Sequence, residues 1–309
     1  MNRILIGLLL LSVVGCSRPR APRETATQGN LLVAVSESHA GLIQAVADEF
    51  NATYTTAHVS VQAMSTREAI VSLLTDSVRC VVIDRGLNAE ERSAAAAAET
   101  RFDEMRIAED ALAVVVHPLT GVDTVSVAGV ESILTRRTTD WSEVPGSDVT
   151  GPITLVMTDR NSGVYELLQT KFLTTREAFA PTVIGRTQDE VLRYVSGNPG
   201  AVGVVSLACF KGGAIVPKRT EVMPSKPVRA LSFVGPDSTG QRTTLALHQA
   251  NVHLGKYPWH YPVYFCFSRE RSELAAGFVS FIMAARGQQI ILNWGLVPVT
   301  MPVRLVQLT

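Results

Sequence analysis

After residue 30 the 309-residue chain has no apolar run of the roughly 20 residues that a membrane-spanning helix needs. The body of the molecule is therefore expected to be water-soluble. The chain also lacks an excess of either charge, because 28 basic residues balance 28 acidic ones and no basic run stands out. That excludes the electrostatic footprint of a nucleic-acid binder. Cysteine is scarce. Beyond Cys16, the residues Cys80, Cys209 and Cys266 sit in apolar, strand-like runs whose spacing is unlike that of a zinc site. Buried free thiols are the expectation, with a Cys209–Cys266 disulfide as the alternative. His248, His253 and His260 do not fall at metal-ligand spacing on a helix. No metal and no cofactor are expected. The sequence has no GxSxG, HExxH, Walker loop or paired-carboxylate constellation, so hydrolase chemistry has nothing to run on and the chain is not expected to be an enzyme.

What is present begins at the N-terminus. Arg3 supplies a positive n-region and residues 4–11 a short apolar core, so residues 1–15 read as a signal peptide. The stretch ends Val13-Val14-Gly15-Cys16, which resembles the bacterial lipobox. By that resemblance Cys16 becomes the lipidated first residue of the mature chain, each buried methylene adding about 0.8 kcal/mol to its hold on a membrane. Residues 16–30, polar and without apolar periodicity, read as a flexible tether. The expected location is the cell envelope, on a membrane and facing the periplasm or the exterior.

From residue 31 strand-like and helix-like segments alternate. Residues 31–36, 58–64 and 80–84 read as strands; residues 40–50 and 66–74 read as helices. Asn88 and Glu91 form a capping box ahead of a helix through the alanine run at 94–98. This order predicts a parallel α/β sheet. Residues 111–118 form an apolar strand ended by proline, and a second alternating set follows: strands at 153–157, 183–185 and 201–207, helices at 163–173 and 188–195. A strand at 261–267 and helices at 271–285 and 288–294 complete the chain. Two α/β halves joined by extended strands predict two lobes with a cleft between them.

Helix N-termini attract anions, because their first N–H groups lack partners and the helix dipole is positive there. Strand, hydroxyl-bearing residue and helix follow one another at Ser36-Glu37-Ser38-His39, at Ser65-Thr66 and at Asn161-Ser162-Gly163. Each could be a mere N-cap. Together, on two lobes, they suit a tetrahedral oxyanion.

At this point the chain resembles the phosphate-binding proteins of bacterial ABC importers, within the type II periplasmic-binding fold. The resemblance runs through ILTRRTTDWSEVPG (133–146), GNPGAVGVVSL (197–207), YPVYFCFS (261–268) and FVSFIMAARGQQIILNWGLVPV (278–299). It implies a two-lobed fold with a central cleft and a two-strand hinge near residues 114–118 and 261–267. Lobe I would hold residues 31–116 plus 262–309, and lobe II residues 117–261. It also implies a ligand set: Ser38 with the His39 amide, Ser65, Asp84 as acceptor of a proton from phosphate, and Ser162 with Gly163. The family arginine is replaced by Thr158, and Arg160 is the candidate substitute. Val35 and Val164 also depart from the pattern. The partners implied are phosphate or a similar oxyanion, with sulfate, molybdate and organic anions open, and ABC permease subunits in the inner membrane. The alternative is a lipoprotein that keeps the fold as a sensor or scaffold with an altered or lost ligand.

Overall fold

Buried, mostly aliphatic runs form the strands, and capped amphipathic segments form the helices between them. A computed structural model describes residues 24–173, 177–209, 228–236, 241–268 and 270–300. The expected signal peptide, Cys16 and the front of the tether lie outside the described residues. The first half runs β1 (Gly29–Ser36), α1 (Ala40–Thr53), β2 (Ala57–Met64), α2 (Thr66–Leu74), β3 (Cys80–Ile83) and α3 (Ala89–Ala97). The long β4 (Asp103–Val116) leads to β5 (Thr124–Val125), α4 (Val127–Leu134), β6 (Thr154–Thr158), α5 (Gly163–Leu167), β7 (Val183–Gly185), α6 (Gln188–Gly197) and β8 (Ala201–Ser206). Then come β9 (Arg229–Ala230), β10 (Ser232–Pro236), β11 (Arg242–Leu245), α7 (Gln249–His253), β12 (His260–Phe267), α8 (Glu273–Met283), α9 (Ala285–Asn293) and β13 (Val297–Pro298). The capping box of Asn88 and Glu91 opens α3 as the sequence predicts, and Ser65 with Glu68 makes another at α2.

The main sheet has the order β2-β1-β3-β12-β4-β8-β6-β7. Its flanks, β2-β1-β3 and β8-β6-β7, are parallel, which is what strand–helix–strand connections produce. Between them lie β12 and β4, antiparallel to their neighbours. Along β4, Asp103 to Ala111 pair with β12 and Leu112 to Val116 pair with β8. One strand therefore serves both halves, and its change of partner falls inside the segment that the sequence reading gives to the first lobe. The fold is the two-lobed α/β arrangement expected. A smaller sheet, β11-β10-β5, sits beside the second half.

The first half packs α1 and α8 through edge-to-face contacts of Phe50 with Phe278 and Phe281 at 5.3 Å. In the second half Trp141 is buried and its indole N–H donates to the Gly200 carbonyl at 2.9 Å. Cys80, Cys209 and Cys266 are free thiols, with no Cys209–Cys266 bridge. No single helix among the described residues is long and apolar enough to cross a membrane.

Residues 24–28, expected within the tether, are seated on α8. Glu24 accepts hydrogen bonds from Ser272 Oγ at 2.8 Å and Leu274 N at 3.2 Å, and pairs with Arg79 at 3.0 Å. A methyl group on Gly277 would overlap the Ala26 carbonyl, so glycine is required for this close approach. Gly277→Ala is expected to lower stability by about 1–3 kcal/mol in a denaturant melt. An unchanged midpoint would mean that this segment does not rest on α8.

Candidate functional site

Because β1, β2 and β3 are neighbours and parallel, the residues leaving their carboxyl ends meet at one place, as ligand-binding crevices of open α/β sheets do. Ser36 ends β1, Thr66 opens α2 after β2, and Asp84 follows β3. Ser36 Oγ and Thr66 Oγ1 both donate to Asp84 Oδ2, at 2.6 and 2.5 Å. A single 3₁₀ turn, Glu37–His39, links β1 to α1 and turns the His39 ring inward.

His39 is fully buried between two carboxylates. Its Nε2 lies 2.9 Å from Asp110 Oδ2 and its Nδ1 3.0 Å from Asp84 Oδ1, the second contact being an ion pair rather than an aligned hydrogen bond. Asp110, on β4, also accepts from Tyr261 Oη at 2.9 Å and from Ser206 Oγ at 2.5 Å. Burial pushes the His39 pKa down, but the bonds to and charges of Asp110 and Asp84 outweigh it and hold it at about 9. Burial pushes Asp84 up, and His39, Ser36 and Thr66 together hold it below the ordinary carboxylate range. Buried charges persist when they are paired, and here His39 pairs with both carboxylates, while Asp84 accepts from Ser36 and Thr66 and Asp110 is hydrogen-bonded to the ring.

The second half meets this cluster at two places. Gln188, the first residue of α6 and 1% exposed, donates from Nε2 to Ser38 Oγ at 2.5 Å and from its backbone to Glu37 Oε2 at 3.2 Å. Its Oε1 accepts from Ser206 N at 2.5 Å. At the other place Gly163 lies so close to Asp84 that a Cβ would overlap the carboxylate and sit 2.7 Å from Thr66 Oγ1. Farther out, Arg85 forks onto Glu91 at 2.8 and 2.9 Å and reaches Glu166 after α5 begins at 2.6 Å, tying the halves together.

The sequence-predicted residues divide accordingly. Ser38, His39, Asp84 and Gly163 come together, although His39 enters through its ring rather than its amide. Ser162 is buried at the start of α5, where it accepts from Tyr165 N at 3.2 Å and pairs with Thr158 Oγ1 at 2.6 Å. The Ser65 hydroxyl is turned to its own helix, accepting from Glu68 N and donating to Glu68 Oε2. Its neighbour Thr66 is the residue that reaches Asp84. Arg160 is exposed on the turn before α5 and enters none of these contacts. Val35 and Val164 are core residues. The pattern names Thr66 only beside Ser65 at the second junction and does not mark Asp110, Gln188, Ser206 or Tyr261 as site residues. Only Asp110 carried a signal: a carboxylate in front of the apolar run ALAVVV. Among the described residues no group of three His, Cys, Asp or Glu is placed to hold a metal ion.

Glu37 bridges the halves by accepting from the Gln188 amide, and its Oε1 is buried without a hydrogen-bond partner. Burial, with the charges of Asp84 and Asp159 adding, pushes its pKa from 4.5 to about 7 against the lowering bond from Gln188. The folded chain therefore holds this proton more tightly than the unfolded one. The stabilisation is complete below pH 4.5 and is lost as pH rises through about 7. Glu37→Gln is expected to flatten stability across that window and to add on the order of 1 kcal/mol at pH 8. Denaturant midpoints at pH 4.5, 6 and 8 check it; parallel pH profiles for both chains would contradict it.

Comparison with known proteins gives three findings. The family described as PBP superfamily domain matches residues 20–286. Protein SphX of Synechococcus elongatus is 22% identical over 289 residues, covering 91% of this chain and 81% of SphX. Among solved structures, a candidate phosphate ABC transporter substrate-binding protein with bound phosphate from Clostridium perfringens superposes with a TM-score of 0.73 at 20% identity, over 88% of this chain and 100% of that one. An ABC-type phosphate transport receptor from Vibrio cholerae gives 0.63 at 21% identity, over 88% and 100%.

Proposed function

The chain belongs to the PBP superfamily, and from that premise we propose that it is a solute-binding protein that captures phosphate or a related oxyanion for an ABC importer. One observation carries the reading. Hydroxyls from the ends of adjacent parallel strands converge with Asp84 on the start of α5, from the opposite half. The Clostridium perfringens relative, of the same fold, is described as holding phosphate. Capture would begin in an open cleft, with closure as a rotation about β4 and β12, the two strands that join the halves. Only solute contacts made in the closed form can drive that closure. Ser38, the His39 amide, Asp84, Ser162 and Gly163 are the proposed contacts, with Thr66 in the role given to Ser65 and with Arg160 reaching in from the rim. The role is binding rather than chemistry, and delivery would be to permease subunits in the inner membrane.

Titration calorimetry of the purified protein with phosphate, from micromolar to millimolar, is the test. Absence of binding over that range removes phosphate. The second reading, a non-transport lipoprotein that keeps the fold, is favoured by one feature: Asp84 already holds its own donors. We also propose that Cys16 carries lipid and anchors the chain to a membrane. Mass spectrometry of the mature N-terminus reads this directly, and Cys16→Ser is expected to move the protein to the soluble fraction.

A further inference from the structure

Glu37 is a carboxyl for which the proposed capture has no use, and it stands on the joint between the halves. Its Oε2 accepts from the Gln188 amide of the opposite half at 3.2 Å, and its Oε1 is shut from water with no donor. A buried acceptor left without a partner is costly, and more so when it is charged. The groups that face it add negative charge or none. Asp84 follows β3, Asp159 comes from the second half after β6, and the Cys209 thiol after β8 is kept neutral by burial. On α6, Asp189 pairs with Arg193, and Glu190 accepts from the Arg186 amide. The one cation on the same turn, His39, is held between Asp84 and Asp110.

We propose that Glu37 is a positioning residue that takes up a proton as the halves close, so that capture of the solute is linked to pH. This rests on the reading of the cleft as one that opens and closes around a solute. Opening would withdraw Gln188 and Asp159, which belong to the second half, and return the carboxyl to water, where it ionises as an ordinary carboxylate. Closure takes water from Oε1 and brings the Asp159 charge near, and both effects favour the neutral acid. The pKa of about 7 in the closed molecule, against an ordinary 4.5, agrees with that geometry. The closed molecule thus holds a proton that the open one releases. Closure is favoured in full below pH 4.5, and the advantage is lost as pH rises through about 7. His39 does not blur this link. Asp84 follows β3 and Asp110 lies on the part of β4 paired with β12, so both partners stay with the ring when the halves part.

The experiment compares the natural protein with Glu37→Gln, whose amide keeps the shape and stays neutral at every pH. Calorimetry with phosphate at pH 6 and pH 8, each in two buffers of different ionisation heat, counts the protons taken up on binding. Protons that phosphate itself exchanges are common to both chains, so the difference belongs to Glu37. The natural protein is expected to take up about 0.9 proton more than Glu37→Gln at pH 6 and about 0.1 more at pH 8. Its affinity is expected to fall about tenfold more than that of Glu37→Gln between the two. Equal proton counts and parallel affinity profiles, with phosphate bound, overturn the proposal and leave the capture reading standing. Binding by neither chain removes phosphate capture instead, and small-angle scattering of the solute-free proteins then decides. The natural protein is expected to be more compact at pH 5.5 than at pH 8, and Glu37→Gln to be equally compact at both. The same response to pH in both chains overturns the proposal.

Discussion

Replacing His39 by leucine is expected to cost about 3–5 kcal/mol, the usual penalty for removing one partner from a buried ionic group. The ring is fully buried and is the cation between Asp84 and Asp110. Leucine would leave both carboxylates without their cation, Asp84 held by Ser36 and Thr66 and Asp110 by Ser206, Tyr261 and the Ala111 amide. The shape is nearly preserved, so the loss is electrostatic rather than a cavity. The pH dependence separates the two. In the natural chain the His39 pKa stands at about 9 in place of 6.5, so its contribution is complete below pH 6.5 and is lost as pH rises through about 9. Guanidinium melts should show the difference between the natural protein and His39→Leu large at pH 6 and small above pH 9. A difference below about 1 kcal/mol at pH 6 would mean that His39 is not charged in the fold.

Much of this fold is written locally. Strand β3 is a continuous buried run and β1 is one from Val33 to Ser36, and α2 and α3 open on capping boxes that can be read residue by residue. The first half of β4 is not visible in this way. Its residues Asp103, Glu104, Arg106 and Glu109 break the apolar pattern, because that stretch is held by pairing with β12 and by ion pairs such as Arg106–Glu109. The cleft shows the same division. The hydroxyl junctions are legible because each precedes a helix, but the pattern cannot tell a cap from a site residue. Ser65 spends its hydroxyl on its own helix, whereas Thr66, one residue on, points to the neighbouring strand end. Asp110 and Gln188 lie 71 and 150 residues from the partners they meet, His39 and Ser38. Only the folded sheet brings them together.

Gln188 makes the second large effect. Its side chain joins Ser38 of one half to the Ser206 backbone of the other, and its own amide N–H holds Glu37. Leucine fills nearly the same space but leaves the Ser206 N–H and the Ser38 hydroxyl without these partners in a buried setting. Each such orphan costs about 1–3 kcal/mol, so Gln188→Leu is expected to lose about 2–4 kcal/mol. The loss should fall on the cleft rather than on either half's core, because the packing of Phe50 on Phe278 and of Trp141 on Gly200 does not involve Gln188. Hydrogen exchange therefore discriminates. The Ser206 amide should exchange much faster in Gln188→Leu while the amides of β1 and β6 keep their protection. Uniform acceleration across both sheets would show that Gln188 supports the fold as a whole, and unchanged exchange at Ser206 would show that its amide is not held by Gln188.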